Sequence, residues 1–134
     1  MPETDYKDRV RESFTQQRVM QLIGANLALV EPGIVEIELP FREDITQQDG
    51  FVHAGIITTV LDSACGYAAY TLMPEGSSVL SVEFKVNLLA PAKADVIRVR
   101  AEVKRAGKTL TVCTADAFAG EKVCATMLAT MIRR

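Results

Sequence analysis

The stretch "GFVHAGIITTVLDSACGYAAYTLMP", residues 50–74, decides how this chain folds. Between Phe51 and Pro74 every side chain is apolar, small or a neutral hydroxyl, except His53, the only histidine of the chain, and Asp62, the only formal charge in the run. From Ala54 to Met73 the run is rich in alanine and apolar on nearly every face, which favours a buried helix over a strand. "MPEGSS" stops it through Pro74 and Gly76. An unpaired carboxylate is costly to bury, so Asp62 in the middle of this helix needs a reason.

Around the helix the period changes to two. Val82, Phe84, Val86 and Leu88 alternate with Ser81, Glu83, Lys85 and Asn87, and "ADVIRVRAEVKR", "TLTVCTADAFA" and "KVCATMLATMIRR" follow the same rule. The short turns "RAGKT" and "AGEK" between them predict sequential antiparallel strands. Upstream, Val35, Ile37 and Leu39 alternate with Glu36 and Glu38 after a turn at Pro32–Gly33, which reads as a hairpin with one wet face. "REDITQQDGF" has no periodicity and reads as a loop. Phe14, Val19, Met20, Leu22 and Ile23 form one apolar stripe of an N-terminal surface helix ending near Gly24. A long apolar helix must be covered on most of its circumference, and about six strands do this by curling around it as one antiparallel sheet. The expected class is α+β, a single domain over residues 1–134.

Composition narrows the function. With 15 basic and 17 acidic residues and a pI near 5.4, nothing argues for nucleic acid or an anionic membrane as partner. Cys65, Cys113 and Cys124 are odd in number and lie in apolar or alternating segments, so neither a disulfide framework nor a metal site is expected and a reducing cytoplasmic setting fits. The charged start "MPETDYKDRVRESF" lacks the apolar core of a signal peptide. A central Asp62 speaks against reading the apolar run as a membrane span.

Nine residues separate His53 from Asp62. On one helix that is about 13 Å of rise and about 900° of rotation, so the two lie on opposite sides. A site that uses both must take them from two chains, which a two-fold dimer with antiparallel helices allows.

The element order, with "QQDGFVHAGIITTVLDSACGYAA" opening the helix, "VEFKVNLLAPA" in the next strand and "RAGKTLTV" at a later turn, resembles the hotdog-fold acyl-CoA thioesterases of the phenylacetate-pathway type from about residue 14 onward. The resemblance implies a hotdog fold, an acyl-CoA substrate whose CoA is the only cofactor-like group, and a homodimer with shared sites, often paired again as a dimer of dimers. It assigns Asp62 as general base or nucleophile, the backbone N–H groups at Ala54 and Gly55 as an oxyanion hole, and an amide at Gln47, with Gln48 as its neighbouring substitute. His53 then orders the loop and the substrate carbonyl; the competing reading is a helix cap. Ser81 lies in the strand from which relatives contribute a hydroxyl. Lys85, Arg105 and Lys108 are the candidate cations for the CoA nucleotide. A non-catalytic acyl-CoA sensor on the same fold is the alternative function. Cys65, three residues after Asp62, has no second histidine to activate it and reads as core.

Overall fold

A helix of 17 residues, α3 (Ala54–Tyr70), lies across one antiparallel sheet of six strands in a computed structural model that describes residues 4–134. Before it come α1 (Thr4–Gln16), α2 (Arg18–Ile23), the strands β1 (Asn26–Glu31) and β2 (Ile34–Pro40), and a single 3-10 turn at Glu43–Ile45. After it come β3 (Val79–Leu88), β4 (Val96–Ala106), β5 (Leu110–Ala119) and β6 (Lys122–Arg133). This is the hotdog architecture expected from the sequence.

The apolar alternation of the strands does what a period of two dictates. Val35, Ile37 and Leu39 of β2, Ile97, Val99 and Ala101 of β4 and Cys113, Ala115 and Ala117 of β5 are buried against α3. From the helix, Ile57, Val60, Leu61, Ala64, Cys65, Ala68 and Ala69 meet them. Alanines at the contact let helix and curved sheet approach closely, and Ala64, Ala68 and Ala69 are core. Gly33 turns β1 into β2 with φ +75°, and its N–H donates to Thr71 Oγ1 at 2.7 Å, which ties the hairpin to the end of the helix.

Four expectations are corrected. The N-terminal helix is two helices, broken at Gln17, whose φ −81° and ψ 94° are extended; Val19 and Leu22 of the presumed apolar stripe are exposed. The central helix stops at Tyr70, and Leu72 and Met73 continue it only as turns. The strands joined by the short turns are sequential and antiparallel, β4 with β5 and β5 with β6, but β3 does not precede β4 in the sheet. Its order is β1-β2-β4-β5-β6-β3, so β3 pairs with β6 alone and forms an edge. The segment after β3 instead runs past the start of α3, where Val52 N–H donates to Ala92 O at 3.0 Å. Finally, the cover of α3 is incomplete along one stripe. Thr58, Thr59, Asp62, Ser63, Gly66 and Tyr70 are half-buried, and Val82, Phe84 and Leu88 on the edge strand are exposed.

Candidate active site

The loop before α3 is pinned by backbone bonds. Val52 bridges to Thr46, Gln47 N–H donates to Phe51 O, and His53 N–H donates to Ile45 O at 2.9 Å. His53 then caps the helix. Its backbone is extended and its Nδ1 accepts the N–H of Gly55 at 2.8 Å. With Nδ1 accepting, the neutral ring carries its proton on Nε2. A Cβ at position 55 would stand 3.1 Å from His53 Nδ1, so glycine leaves room for this cap. The expectation of a free Gly55 N–H is therefore corrected, because the cap consumes it. The N–H of Ala54 donates to no atom among the described residues and sits at the positive end of the helix.

Gln47 organises the same loop. Its Oε1 accepts the N–H of Asp49 at 2.7 Å and that of Phe51 at 3.1 Å. It shares a cleft of about 370 Å³ with Ala54, Phe51, Ile57, Leu88 and Leu89. Gln48 next to it is exposed.

Asp62 lies eight residues, about two turns, beyond Ala54 on α3 and in another cleft, of about 340 Å³. In the single chain it is half-buried rather than buried. The local hydroxyls do not satisfy it: Thr58 and Thr59 donate to the carbonyls of Ala54 and Gly55, and Ser63 donates to Gln17 Oε1 at 2.7 Å. Its partner comes from the sheet. Ser81 Oγ donates to Asp62 Oδ1 at 2.6 Å. This contact depends on a bulge in β3. Ser81 pairs with Met131 and Glu83 with Thr130, leaving Val82 as the extra residue. Ser81 thereby shares the helix-facing side with Phe84 and Val86, which strict alternation would forbid.

The three candidate cations are not brought together. Lys85 stands opposite Leu128 on an exposed stretch of the edge strand, Arg105 follows a bulge near the end of β4, and Lys108 lines a third cleft with Thr111, Leu72 and Arg133. Residues that the sequence reading missed are Ser13 and Gln17, whose polar atoms each bond the Tyr67 hydroxyl on the wall of the Asp62 cleft. No local pattern marks them, since Ser13 and Gln17 sit in a charged amphipathic segment.

The cysteines are held as neutral thiols. Burial, then the neighbouring Cys113 and the charge of Asp62, push the Cys65 thiol far up, and burial pushes Cys113 up to about 12. Cys113 Sγ donates to Cys65 O at 3.5 Å. Among the described residues, no three His, Cys, Asp or Glu side chains group as metal ligands, and no helix is long and apolar enough to cross a membrane.

Residues 49–126 match the family described as Thioesterase superfamily. A thioesterase family protein from Silicibacter pomeroyi, of known structure, is 51% identical, with a TM-score of 0.93 and coverage of 96% of this chain and 97% of that one. Acyl-coenzyme A thioesterase 13 of Homo sapiens is 28% identical over 110 residues, 80% of this chain and 78% of that protein. The E. coli PaaI protein from the phenylacetic acid degradation operon superposes with a TM-score of 0.91 at 15% identity, covering 100% of this chain and 96% of that one, a likeness of fold.

Proposed function

We propose, from the premise that this chain belongs to the thioesterase superfamily and is a thioester hydrolase, that it hydrolyses acyl-CoAs with small aromatic or short to medium acyl groups in sites shared between two copies. One observation carries the reading. Each chain offers two incomplete half-sites, one cleft with the Asp62 carboxylate and one with the unpaired Ala54 N–H and Gln47. The half-buried stripe of α3 and the unpaired edge of β3 flank both clefts and leave room for a second copy. A two-fold pairing of those faces brings the carboxylate of one chain to the helix start of the other.

In that arrangement the thioester oxygen sits against Ala54 N–H, which strengthens its bond as negative charge develops. The Oδ2 of Asp62, left open by the Ser81 bond to Oδ1, takes a proton from the attacking water, or itself attacks the thioester carbon. On the base route, collapse of the tetrahedral intermediate expels the CoA thiolate, which the proton taken from water neutralises; on the nucleophilic route the thiolate leaves an acyl-Asp62 anhydride, which water opens to the free acid and the Asp62 carboxylate while its proton goes to the thiolate. Gln47 lines the cleft while its oxygen holds the loop and its amide nitrogen donates to Asp49 Oδ2 at 3.4 Å. His53 acts mainly as the cap that sets the helix start. Gly55 contributes space for that ring. Gln48, Ser81, Lys85, Arg105 and Lys108 remain the candidate substrate contacts, with CoA entering as part of the substrate and no separate cofactor. A dimer of dimers in the cytoplasm is part of the same proposal.

The experiment is thiol release from a panel of acyl-CoAs, followed with a disulfide chromophore. Turnover of aryl or short to medium acyl-CoAs is expected, and its absence across the panel, with free-acid esters hydrolysed instead, would overturn the acyl-CoA assignment.

A further inference from the structure

A third cleft, of about 370 Å³, opens at the β4–β5 turn, and its polar lining is Lys108, Thr111 and Arg133. No carboxylate lines it. Among the described residues the ion pairs are those of Arg42 and Arg100, so neither Lys108 nor Arg133 has a counter-charge. Two like charges on one small cleft repel each other, and an anion between them relieves the repulsion.

Thr111 is an independent sign of a ligand. It is 3% exposed, yet its hydroxyl has no partner among the described residues. Buried hydroxyls otherwise find one, as Thr71 does by donating to Ala68 O at 2.7 Å. The sealed and unpaired side-chain atom among the described residues is Arg9 Nε, so Thr111 Oγ1 is not closed off by protein, and the cleft it lines is its opening. The backbone holds the three groups in place. Gly107 N–H donates to Leu110 O at 2.8 Å, and a Cβ at 107 would stand 2.6 Å from that oxygen, so glycine is needed to close this turn. Arg133 N–H donates to Thr109 O at 2.9 Å, which ties the turn carrying Lys108 to the strand carrying Arg133. Thr111 pairs with Met131, which lies two residues before Arg133 on the same face of β6, about 7 Å away.

Size and surface choose the ligand. A free phosphate ion would use only the cations and the hydroxyl, whereas the volume of the cleft and the apolar surface of Leu72, Met73 and Pro74 suit a group of nucleoside size. We propose that this cleft binds a nucleoside phosphate, with its phosphoryl oxygens between Arg133 and Lys108, Thr111 Oγ1 donating to one of them, and its base against Leu72 and Pro74. CoA carries such a group at its nucleotide end and free adenine nucleotides carry another, so the phosphate has two sources. The inference does not rest on thioester turnover, because binding alone is measured.

The test is isothermal titration of the full chain with adenosine 3′,5′-bisphosphate, 5′-AMP, adenosine and inorganic phosphate. At least one nucleotide should bind with a Kd below about 1 mM, about tenfold or more tighter than adenosine or phosphate alone. Arg133→Gln should weaken that binding about tenfold or more, and Thr111→Val about three- to tenfold. Thr111→Val removes a hydroxyl that bonds no protein atom, so the melting temperature without ligand should not fall, as it would for a hydroxyl that serves the fold. Lys108→Gln, in an exposed turn, repeats the charge test if circular dichroism shows Arg133→Gln unfolded. CoA as a competitor assigns the source: displacement of the nucleotide makes it the nucleotide end of CoA, and no displacement makes it a separate nucleotide. Failure of both nucleotides to bind, phosphate alone binding as tightly as a nucleotide, or unchanged affinity in any folded variant would overturn the proposal.

Discussion

The hydroxyl of Ser81, on the edge strand, donates at 2.6 Å to Oδ1 of Asp62, in the middle of the central helix. The bond fixes one carboxylate oxygen and leaves the other facing the cleft. Asp62→Asn keeps the volume and the Ser81 contact while removing the proton acceptor, so kcat should fall at least about 100-fold with the melting temperature little changed. Ser81→Ala leaves the acceptor but frees its rotamer, and a loss of roughly 3- to 30-fold is expected, the scale of one hydrogen bond to a charged group. Steady-state kinetics on the two variants checks the order. Equal losses would remove the distinction between base and support.

Whether Asp62 takes a proton or attacks carbon can be read from its oxygens. Under single-turnover conditions in ¹⁸O water with enzyme in excess, a nucleophilic carboxylate acquires label when water opens the anhydride at the Asp62 carbonyl, whereas a base does not. Mass spectrometry of the peptide containing Asp62 gives the answer directly.

Ala54 is the first helical residue, and proline is well tolerated there because that N–H has no helical partner. His53, at φ −59° and ψ 137°, already has the extended backbone that a following proline requires. Ala54→Pro should therefore keep the helix while deleting the proposed oxyanion donor. The expected result is a loss of about 100- to 1,000-fold in kcat with a preserved circular dichroism spectrum. Retained activity in the folded variant would take the oxyanion role away from this group.

The buried thiols give a pH dependence with a definite sign. Folding raises Cys65 and Cys113 above their ordinary value of 9.0, so both are neutral in the folded and the unfolded chain below that pH and cost nothing. Above it the unfolded chain ionises first, and stability falls by about 1.4 kcal/mol per pH unit for each such thiol. Urea midpoints measured from pH 8 to pH 11 should decline, and Cys65→Ala should flatten that decline even though it lowers the midpoint at pH 8. An identical slope in the variant would remove Cys65 from the account.

The parts of this molecule that were legible in the sequence are those set by neighbours along the chain. The helix start after His53, the Pro32–Gly33 turn and the buried phase of β2 each follow from a local pattern. The parts that were not legible are set by pairing across the sheet. Ser81 reads as outward by alternation with Phe84, and only the pairing with β6 that places a bulge at Val82 turns it toward Asp62. Gln17 reads as surface for the same reason, since its partners Ser63 and Tyr67 lie 46 and 50 residues away. The place of β3 was missed because its pairing partner, β6, comes only at the end of the chain, whereas the order β4-β5-β6 follows from the short turns.

The sharing of sites between two chains can be tested with lesions in the two half-sites. Asp62 and Ala54 line different clefts of one chain, and eight helical residues, about 12 Å of rise, separate them. Asp62→Asn and Ala54→Pro each leave a chain with one sound half-site, so they are unfolded and refolded together in equal amounts. Random pairing makes about half of the dimers mixed, and in each mixed dimer a shared arrangement gives one site with both lesions and one with neither. Roughly a quarter of all sites are then intact, so about a quarter of wild-type activity should return from two preparations that are nearly inactive alone. If each site were built within one chain, every site would carry one lesion and no activity would return. Native mass spectrometry verifies the chain exchange, since the two substitutions differ in mass. A mixture that exchanges and stays inactive would sink the two-chain site and leave the separation of the carboxylate from the helix start without a functional account.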